Sequence, residues 1–571
     1  MRYIKKIGAF LCDNTRKMQK NDWIILGIML CIYAVISFIN LGSFKNPQTF
    51  QKFGRLESSI IKLGEEQKSV LKMRHYAGEN TGSYILMGSL DNNEYHKITS
   101  FTDEAVFRWT DTEIGEKVKY LKIIPINDER YIGEIALYDE NGAKIQVTAE
   151  TEAAKALIDE PDTVPDKISY MNSTYFDEIY FPRTAYEYAN GMIAYEWVHP
   201  PLGKLIQMLP ILILGMNPFA YRLMGNIAGV LMIAVMYLFG KSLFKSRKYA
   251  LLAGILMMFD NFHFVQTRIG TIDSFLVLFM ITSAFYMFQY LVLKVEDSLK
   301  KKNKYLFLSG LFFGLATSVK WTGMYLGLGL CIMFFGKLVR DIIKEKKLAK
   351  QYIEIILACI LYFVIIPCTI YAMSYFLFPK VSPGRVSNFT ELFEQTKRVY
   401  EYHSTLVAEH PYTSKWYTWP LMIRPMWYYT STEAAGLEEG FRSTIVAIGN
   451  PAIWWFGVIA SVVVLVKAIF ARKQEDIFIM IMMLAMWIPY AFIGRIMFIY
   501  HFFPVLPFMI LAIVAFIEWL EKIGKRKRNW ITVGYILLVI MMFMVFYPIT
   551  SGMPVSEEYI QSLKWMDTWY F

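Results

Sequence analysis

Residues 355–377 read IILACILYFVIIPCTIYAMSYFL, an apolar stretch without a single charged side chain. A helix needs roughly 20 such residues to cross a hydrocarbon core about 30 Å thick, so this stretch predicts a transmembrane helix. Of the 571 residues, 55% are hydrophobic and only 19% are charged, which is less charge than a soluble chain carries. We therefore predict an α-helical polytopic membrane protein. Five more apolar runs have comparable lengths: Ile24–Leu41, Leu223–Leu243, Phe275–Leu293, Ile453–Phe470 and Ile531–Phe546.

Weaker apolar segments between these runs raise the predicted number of transmembrane helices to about eleven. The first apolar run, Ile24–Leu41, is expected to be a permanent anchor and not a cleavable signal, because it lies far from residue 1 and no small-residue cleavage site follows it. The predicted spans are residues 22–42, 220–243, 248–264, 271–294, 305–319, 321–338, 352–378, 451–471, 476–494, 498–520 and 530–548.

Lysine and arginine are concentrated in alternate loops between the predicted spans. Because cytoplasmic loops are enriched in these residues, the basic side is predicted to be cytoplasmic. The N-terminus is then inside, whereas segments 43–219, 379–450 and 549–571 are extracytoplasmic. The net charge of +10 is explained in this way, so the lipid bilayer, and not nucleic acid, is the expected partner. The six basic loops are the N-terminus, 241–248, 295–304, 337–350, 467–474 and 522–528.

The first long loop contains a part that does not have the pattern of membrane helices. Short runs of β-branched and aromatic residues recur over residues 58–147, separated by turn residues such as Asn141-Gly142. Their spacing predicts an extracytoplasmic β-sandwich insert at 45–165. It divides the N-terminus and first helix (1–44) from a helical region (166–571) with external loops 166–219 and 379–450.

The pattern around Tyr84–Leu90 and Gly133–Gly142 is similar to a galactose-binding-like jelly roll. This similarity concerns the fold only. A carbohydrate-binding role, a spacer and a peptide-docking module all remain open for the insert.

Ionisable side chains outside the insert are concentrated on the predicted extracytoplasmic side. Such groups at membrane depth are costly and therefore indicate function, whereas interfacial anchors should occur on both faces. A functional site is predicted at this face. Its candidate residues are Asp177, Glu178, His199, Arg222, Asp260, His263, Arg268, Asp273, Lys320, His403, His410, Arg424, Arg495 and His501.

Two stretches of loop 166–219 stand out. Phe176-Asp177-Glu178 has adjacent carboxylates, which point in different directions on a loop and need not act as a pair. His199-Pro200-Pro201-Leu202-Gly203-Lys204 is far more specific, since its prolines bar a helix up to that point and can open one there. The apolar run 205–216 that follows is too short to span, so an interfacial helix is expected.

Together with other strings along the chain, these motifs resemble those of the protein O-mannosyltransferases, membrane enzymes of the GT-C class. Loop 379–450 is too short for the extra domain of the eukaryotic members, which indicates a bacterial enzyme, and the insert 45–165 leaves the acceptor open. The matching strings are Asp177-Glu178; His199–Lys204; Asp260-Asn261, Thr267-Arg268 and Asp273-Ser274; Lys320-Trp321-Thr322-Gly323; Ser414 and Trp419-Pro420; Gly449-Asn450-Pro451 and Trp454-Trp455; and Gly494-Arg495, Tyr500-His501 and Pro504.

The resemblance implies that mannose moves, with inversion, from a polyprenyl phosphate donor to a Ser or Thr hydroxyl of a protein acceptor. A hydroxyl needs a base, and Asp177 is the family-matched one, with Glu178 orienting its loop or the acceptor. The leaving phosphate needs only charge stabilisation. Donor contacts are expected from Arg222, Lys320, Arg495, His501, His199 and Lys204, and acceptor or structural roles from Asp260, Arg268, Asp273, His410, Ser414, Trp419 and Arg424.

The chain has no Gly-rich phosphate loop and no Asp-x-Asp on an external loop, so a metal-bridged nucleotide sugar is not the expected donor. No essential metal or other cofactor is expected, although Glu178 could hold a metal. Two other function classes stay open. One is a related lipid-linked transferase acting on a lipid or wall glycan, and the other is a transporter or flippase, which predicts inverted repeats.

Overall fold

The structure is a computed structural model that describes residues 17–571 except 55–56, 127–129, 346–349, 379, 382–383, 432–435 and 524–528. The basic N-terminal residues before Lys17, Lys346 and Lys347, and residues 524–528 of the last basic loop lie outside the described residues.

Long apolar helices form the body of the molecule. A π-helical turn, Leu361–Ile365, joins two of them, and 3₁₀ turns occur at Phe176–Ile179, Trp321–Gly323, Trp416–Leu421, Ile488–Phe492 and Ile499–Phe502. The helices are α1 (Lys20–Phe38), α2 (Glu152–Lys155), α3 (Phe181–Ala189), α4 (Leu202–Leu214), α5 (Pro218–Phe244), α6 (Arg247–Met258), α7 (Asn261–Arg268), α8 (Asp273–Leu291), α9 (Leu299–Val319), α10 (Met324–Glu345), α11 (Lys350–Ile360), α12 (Ile366–Phe376), α13 (Phe389–Thr405), α14 (Pro451–Phe470), α15 (Gln474–Trp487), α16 (Leu506–Ile523), α17 (Asn529–Ser551) and α18 (Glu557–Ser562).

The predicted multi-pass helical class is confirmed, while the count of eleven crossings stays a prediction. The remaining predicted spans also contain helices, but α6 ends before Asp260 and α9 begins with a lysine-rich turn. Among the described residues, seven segments are long and apolar enough to cross a bilayer: Lys20–Phe38, Pro218–Phe244, Asp273–Leu291, Lys350–Phe376, Pro451–Phe470, Gln474–Phe492 and Asn529–Ser551.

Local sequence fixes where two of these helices begin. Asn217 accepts a hydrogen bond from the Ala220 N–H at 2.8 Å, and Pro218 occupies the first position of α5. Asn450 and Pro451 begin α14 in the same way. Capping side chains satisfy N–H groups that have no partner inside the helix, and proline lacks one such group. The loops that precede both helices therefore join the bundle at defined points.

The predicted β-sandwich is confirmed as two five-stranded antiparallel sheets. One has the order β1-β8-β3-β6 with β9 beside β8, and the other has the order β10-β2-β7-β4-β5. Apolar side chains such as Met73 and Leu121 are buried in its core. The strands are β1 (Gln51–Phe53), β2 (Ser59–Lys62), β3 (Lys68–Ala77), β4 (Ser83–Ser89), β5 (His96–Thr102), β6 (Trp109–Val118), β7 (Tyr120–Pro125), β8 (Arg130–Tyr138), β9 (Lys144–Ile145) and β10 (Thr148–Ala149).

The sandwich packs onto loop 166–219. Phe107 and Trp109 belong to one buried cluster with Tyr188 of α3 and Met208 of α4. The insert thereby supports the helices that follow it.

Loop 379–450 is also ordered by packing. It contains α13 and the strands β11 (Lys380–Val381), β12 (Gly384–Arg385), β13 (Met426–Ser431) and β14 (Phe441–Ala447), with β15 (Val555–Ser556) of the C-terminal tail pairing with β14. The indole of Trp569 donates to the Met422 carbonyl at 2.7 Å. The tail and this loop therefore form one layer.

Candidate active site

Two adjoining cavities lie where loops 166–219 and 379–450 meet the ends of the helices. Each has a volume of about 600 Å³, and they share Val198, His199, Lys320, Leu406 and Arg495. The first, the Asp177 cavity, is further lined by Asp177, Tyr180, Phe181, Tyr195, Glu196, Trp197, Tyr402, Ile496, Phe498, Tyr500 and His501. The second, the His403 cavity, is further lined by Pro200, Trp321, Thr322, Met324, Tyr325, Tyr400, His403, Ser404, Val407, Phe492, Ile493 and Gly494.

Asp177 stands on the 3₁₀ turn Phe176–Ile179 and lines the first cavity. Burial raises the pKa of Asp177 to about 7; Lys320 opposes this rise, and the charges of Asp273 and Glu196 add to it. No side chain or backbone group of the described residues hydrogen-bonds to this carboxylate. A carboxylate without a partner and with a pKa near neutrality is suited to accept a proton.

The backbone at Phe176 sets the direction of Asp177. Its φ angle is 49°, in the left-handed region that bulky residues seldom adopt, and its ring stacks on Tyr428 with centroids 4.2 Å apart. Such conformations persist where surrounding contacts over-determine them. The strained turn separates the two adjacent carboxylates, Asp177 and Glu178.

Glu178 points into the protein interior and not into the cavity. Its two carboxylate oxygens accept from the Arg222 guanidinium at 2.7 Å each, and one also accepts from the Gly270 N–H at 2.9 Å. Both side chains are at most 1% exposed. The remaining N–H groups of Arg222 donate to the carbonyls of Leu41, Tyr170 and Ser173.

This pair bears on two expectations from the sequence, the donor contact of Arg222 and the metal or acceptor role of Glu178, which both stay predictions. All five N–H donors of Arg222 are used, so none is left for a donor phosphate. Both Glu178 oxygens likewise accept from protein N–H groups. The pair fixes loop 166–219 to α5 and thereby holds the turn that carries Asp177.

Lys204 makes a similar buried contact with Glu196. Its ammonium binds the Glu196 carboxylate and donates to the carbonyls of Glu196 and His199 at 2.7 and 2.9 Å. Although burial opposes ionisation, Lys204 and His199 hold the pKa of Glu196 at about 2. All three N–H donors of Lys204 are therefore bonded to protein groups, and its expected donor contact stays a prediction. His199, 2.8 Å from Glu196 through Nδ1, remains on the walls of both cavities.

Two cations do reach the cavities. Lys320 follows α9, and its Nζ lies 2.9 Å from Asp273 Oδ1, which leaves two of its three N–H donors. Arg495 contacts Nδ1 of His403 through Nη1 at 2.9 Å and has no carboxylate partner among the described residues. Arg495 is therefore the cation that is freest to bind an added anion, and its planar fork suits phosphate.

His403, on α13, positions Arg495. Its Nε2 lies 3.0 Å from the Val198 carbonyl, so Nε2 carries the proton and Nδ1 accepts from Arg495. Burial lowers the pKa of His403 to about 4, and His199 and Arg495 contribute to this lowering. The neutral ring that this geometry requires is thus the form present at neutral pH. Loop 379–450 in this way contributes to the cation site.

His501 lies on the 3₁₀ turn Ile499–Phe502 at the cavity wall. Its Nδ1 lies 3.0 Å from the carbonyl oxygen of Phe498, the residue that precedes this turn. The ring stacks on Trp419, with centroids 5.8 Å apart, and the Trp419 indole donates to the hydroxyl of Ser414 at 3.0 Å. Ser414 and Trp419 therefore support His501 from behind.

Four further predicted residues lie away from both cavities. Asp260 caps α7 and accepts from the Trp454 indole at 2.9 Å. Arg268 donates to the last carbonyls of the α1 segment. His410 packs against Phe498, and Arg424 lies over the ring of Tyr570. In this structure the contacts of these four residues are with other protein groups, and their predicted acceptor or structural roles stay predictions.

The part of the chain that the structure describes contains no group of three or more His, Cys, Asp and Glu residues able to hold a metal ion. Among the described lining residues, the lysine and arginine side chains are those of Lys320 and Arg495.

Glu196 was not among the candidate residues of the predicted site, and His403 was a candidate to which no role was assigned. Glu196 stands three residues before His199 and eight before Lys204, and this spacing could have indicated a buried pair. The partner of His403 is 92 residues away in sequence, so no local pattern could reveal that contact.

Comparison with known proteins gives consistent matches. A family model described as dolichyl-phosphate-mannose-protein mannosyltransferase matches residues 207–378, and one for the C-terminal four-helix region of protein O-mannosyltransferase matches residues 388–569. The polyprenol-phosphate-mannose–protein mannosyltransferase of Corynebacterium glutamicum is 27% identical over 65% of this chain and 81% of its own length. The enzyme of the same name from Mycolicibacterium smegmatis is 24% identical, over 65% and 82%.

Among solved structures, a chain of the S. cerevisiae protein O-mannosyltransferase Pmt1–Pmt2 complex bound to the sugar donor superposes with a TM-score of 0.61. The match covers 70% of this chain and 89% of that chain at 15% identity. The fold is thus that of the GT-C class of membrane glycosyltransferases. Within this class, the chain belongs to the protein O-mannosyltransferase family.

Proposed function

We propose that this chain transfers a mannosyl group from a polyprenyl phosphate to Ser or Thr hydroxyls of proteins. One observation carries the proposal: within the described parts of the chain, the Asp177 cavity combines an unpartnered carboxylate with two cations that keep free N–H donors, Lys320 and Arg495. Such a transfer needs a base for the hydroxyl proton and positive charge for the departing phosphate. The activities named for the matched relatives support the same reaction.

In the proposed mechanism, the acceptor oxygen attacks the anomeric carbon from the face opposite the phosphate. As that bond forms, the bond from the anomeric carbon to the phosphate oxygen breaks, and the phosphate leaves with the electron pair. Asp177 takes the hydroxyl proton, and Lys320 and Arg495 bind the phosphate. A single displacement of this kind inverts the anomeric configuration.

The His403 cavity suits the lipid part of the donor. Met324, Val407 and Phe492 on its wall are 51%, 94% and 86% exposed, respectively, and they give it an apolar rim. Because Lys320 and Arg495 lie on the walls of both cavities, a phosphate held by them would have its sugar beside Asp177 and its polyprenyl chain at this rim.

The reaction can be tested with the full-length protein in liposomes. Synthetic polyprenyl-phosphate mannose, glucose and galactose would each be supplied with a Ser/Thr-rich peptide, a lipid extract or wall glycan. We expect mannose on the peptide hydroxyl, with the configuration inverted. Transfer to lipid or glycan alone would contradict the proposal and indicate a related lipid-linked transferase. Movement of the donor across the bilayer without transfer would indicate a flippase.

Replacing Arg495 with Ala should weaken donor use roughly 10- to 100-fold, because a charge-assisted contact to the phosphate is lost. Arg495→Lys should retain part of the donor affinity, since lysine keeps the positive charge but lacks the planar guanidinium that binds two phosphate oxygens at once. The measurement is the donor concentration for half-maximal transfer. Arg424→Ala, which removes a cation outside both cavities, is the matched control and should leave that concentration unchanged. Equal effects of the two alanine variants would contradict the assignment.

Turnover should depend on pH through Asp177. A base acts in its ionised form, and burial raises the pKa of Asp177 to about 7, so the rate should rise as pH increases through about 7 and level off above it. Turnover at saturating donor and acceptor, measured over roughly pH 5.5 to 9, gives the profile. A rate that is already constant across the acidic part of this range would show that no group of this pKa is the base.

The membrane orientation belongs to the same proposal: a cytoplasmic N-terminus, with the insert, loop 379–450 and the C-terminus outside. Cysteines at Ser100 and Ser387, both on exposed positions, should react with a membrane-impermeant thiol reagent in intact cells. Lys300→Cys, in the first turn of α9 and within the predicted basic loop 295–304, should react only after lysis. The reverse pattern would invert the topology.

A further inference from the structure

Helix α13 has three different faces. Leu392, Gln395 and Val399 are buried against the protein. Phe389, Phe393 and Tyr400, spaced four and seven residues apart, form a stripe in which each side chain is 64–74% exposed. The third face is charged and exposed, and it consists of Glu394, Lys397, Arg398 and Glu401.

The exposed aromatic stripe continues the surface of a membrane-spanning helix. The ring of Phe389 contacts that of Phe376, the last residue of α12, with centroids 5.3 Å apart. One to two turns deeper, the hydroxyl of Tyr371 lies 3.3 Å from that of Thr396. The segment Lys350–Phe376 is one of those long and apolar enough to span the bilayer, and only 11% of an apolar 18-residue stretch within it is buried in the protein. The stripe is therefore continuous with a surface that faces lipid.

A helix with an aromatic stripe beside a charged face is suited to the boundary between headgroups and acyl chains. The buried face of α13 leads to the cation site, because His403 on this helix bonds both Val198 and Arg495. Gln395 adds a contact to the Trp197 carbonyl at 3.3 Å. The same helix thus contacts the lipid-facing surface on one side and the cation site on another.

We propose that α13 is an interfacial membrane helix: its stripe of Phe389, Phe393 and Tyr400 lies in the bilayer interface and holds His403 in place beside Arg495. The partner is the lipid interface on the side of the catalytic loops, and a partner protein on this stripe is the alternative that the experiments separate. The membrane contact stands on geometry alone, whereas the effect on the donor rests on the function proposed above.

Nitroxide labels can test the membrane contact without any transfer reaction. A label at Phe393→Cys or at Glu394→Cys would be introduced into the full-length enzyme with its native cysteines replaced, in phosphatidylcholine–phosphatidylglycerol liposomes. Collision rates with oxygen, which partitions into lipid, and with a water-soluble nickel chelate are compared. We expect position 393 to favour oxygen and position 394, on the same turn, to favour nickel. Preference for nickel at both positions, as expected for a face that meets water or a soluble partner, would overturn the membrane contact.

A second measurement tests the link to the donor site. Phe389→Ser/Phe393→Ser should raise the donor concentration for half-maximal transfer several-fold in liposomes, while the turnover number at saturation changes less. Glu394→Ser/Arg398→Ser is the matched control, because it has the same spacing on the charged face and leaves the net charge unchanged. It should change neither value. Unchanged donor use in the Phe double variant would overturn the positioning role even if the label at 393 favours oxygen.

Discussion

Asp177→Asn should reduce mannosyl transfer by roughly 10²–10⁴-fold, the usual contribution of a positioned general base. Asn keeps the size and shape of the side chain but cannot take the hydroxyl proton. The carboxylate has no hydrogen-bond partner among the described residues, so the replacement breaks no contact that the fold needs. Donor binding should change little, because Lys320 and Arg495 hold the phosphate.

The pH profile makes this test specific. If Asp177 is the base, the residual activity of Asp177→Asn should no longer rise through about pH 7. Asp162→Asn, which removes an exposed carboxylate from the segment preceding the same loop, should preserve both the rate and the profile. The alternative is that Asp177 only caps a turn, in which case Asn is a near-neutral replacement. Near-normal turnover of the Asp177→Asn enzyme would contradict the proposed mechanism but would not affect the fold assignment.

The large features of this protein follow from sequence patterns that act locally. Apolar runs of sufficient length predict helices such as α5 and α17, and period-two runs between turn residues predict the sandwich strands. The polar loop residues could be assigned to one face because charge alternates between loops. Asp177, Lys320 and Arg495, which the loop pattern predicts on one side of the membrane, line one cavity.

The roles of individual cations could not be predicted in this way. The sequence does not distinguish Arg222, Lys204 and Arg495. They differ in the partners that each side chain contacts in the folded protein. Arg222 meets Glu178, 44 residues away, and Lys204 meets Glu196, whereas Arg495 meets only a neutral histidine among the described residues. A cation whose N–H donors are all bonded to protein groups stabilises the fold, whereas Lys320 and Arg495 keep free donors that remain available to bind substrate. That difference depends on tertiary packing, which motif spacing does not encode.

The pair Glu178–Arg222 provides the second large expected effect, on stability. Removing one partner of a buried ion pair leaves an uncompensated charge and typically costs about 3–5 kcal/mol. Glu178→Gln and Arg222→Met, which keep approximate volume, should each lower the thermal midpoint of the purified enzyme strongly. Arg495→Ala should leave that midpoint almost unchanged. Among the described residues Arg495 pairs with no carboxylate, so its removal leaves no buried charge uncompensated.

The double variant distinguishes a lost ion pair from general damage at this site. In Glu178→Gln/Arg222→Met neither charge remains, so the combined destabilisation should be well below the sum of the single effects. The Gln oxygen can still accept from the Gly270 N–H, which Glu178 binds at 2.9 Å. Additive losses would mean that the two side chains act independently. The opposite result would be that Arg222→Met keeps the thermal midpoint of the unmodified enzyme and loses only donor affinity. That result would make Arg222 a phosphate ligand. The five protein contacts of its N–H groups would then not be those of the enzyme during transfer.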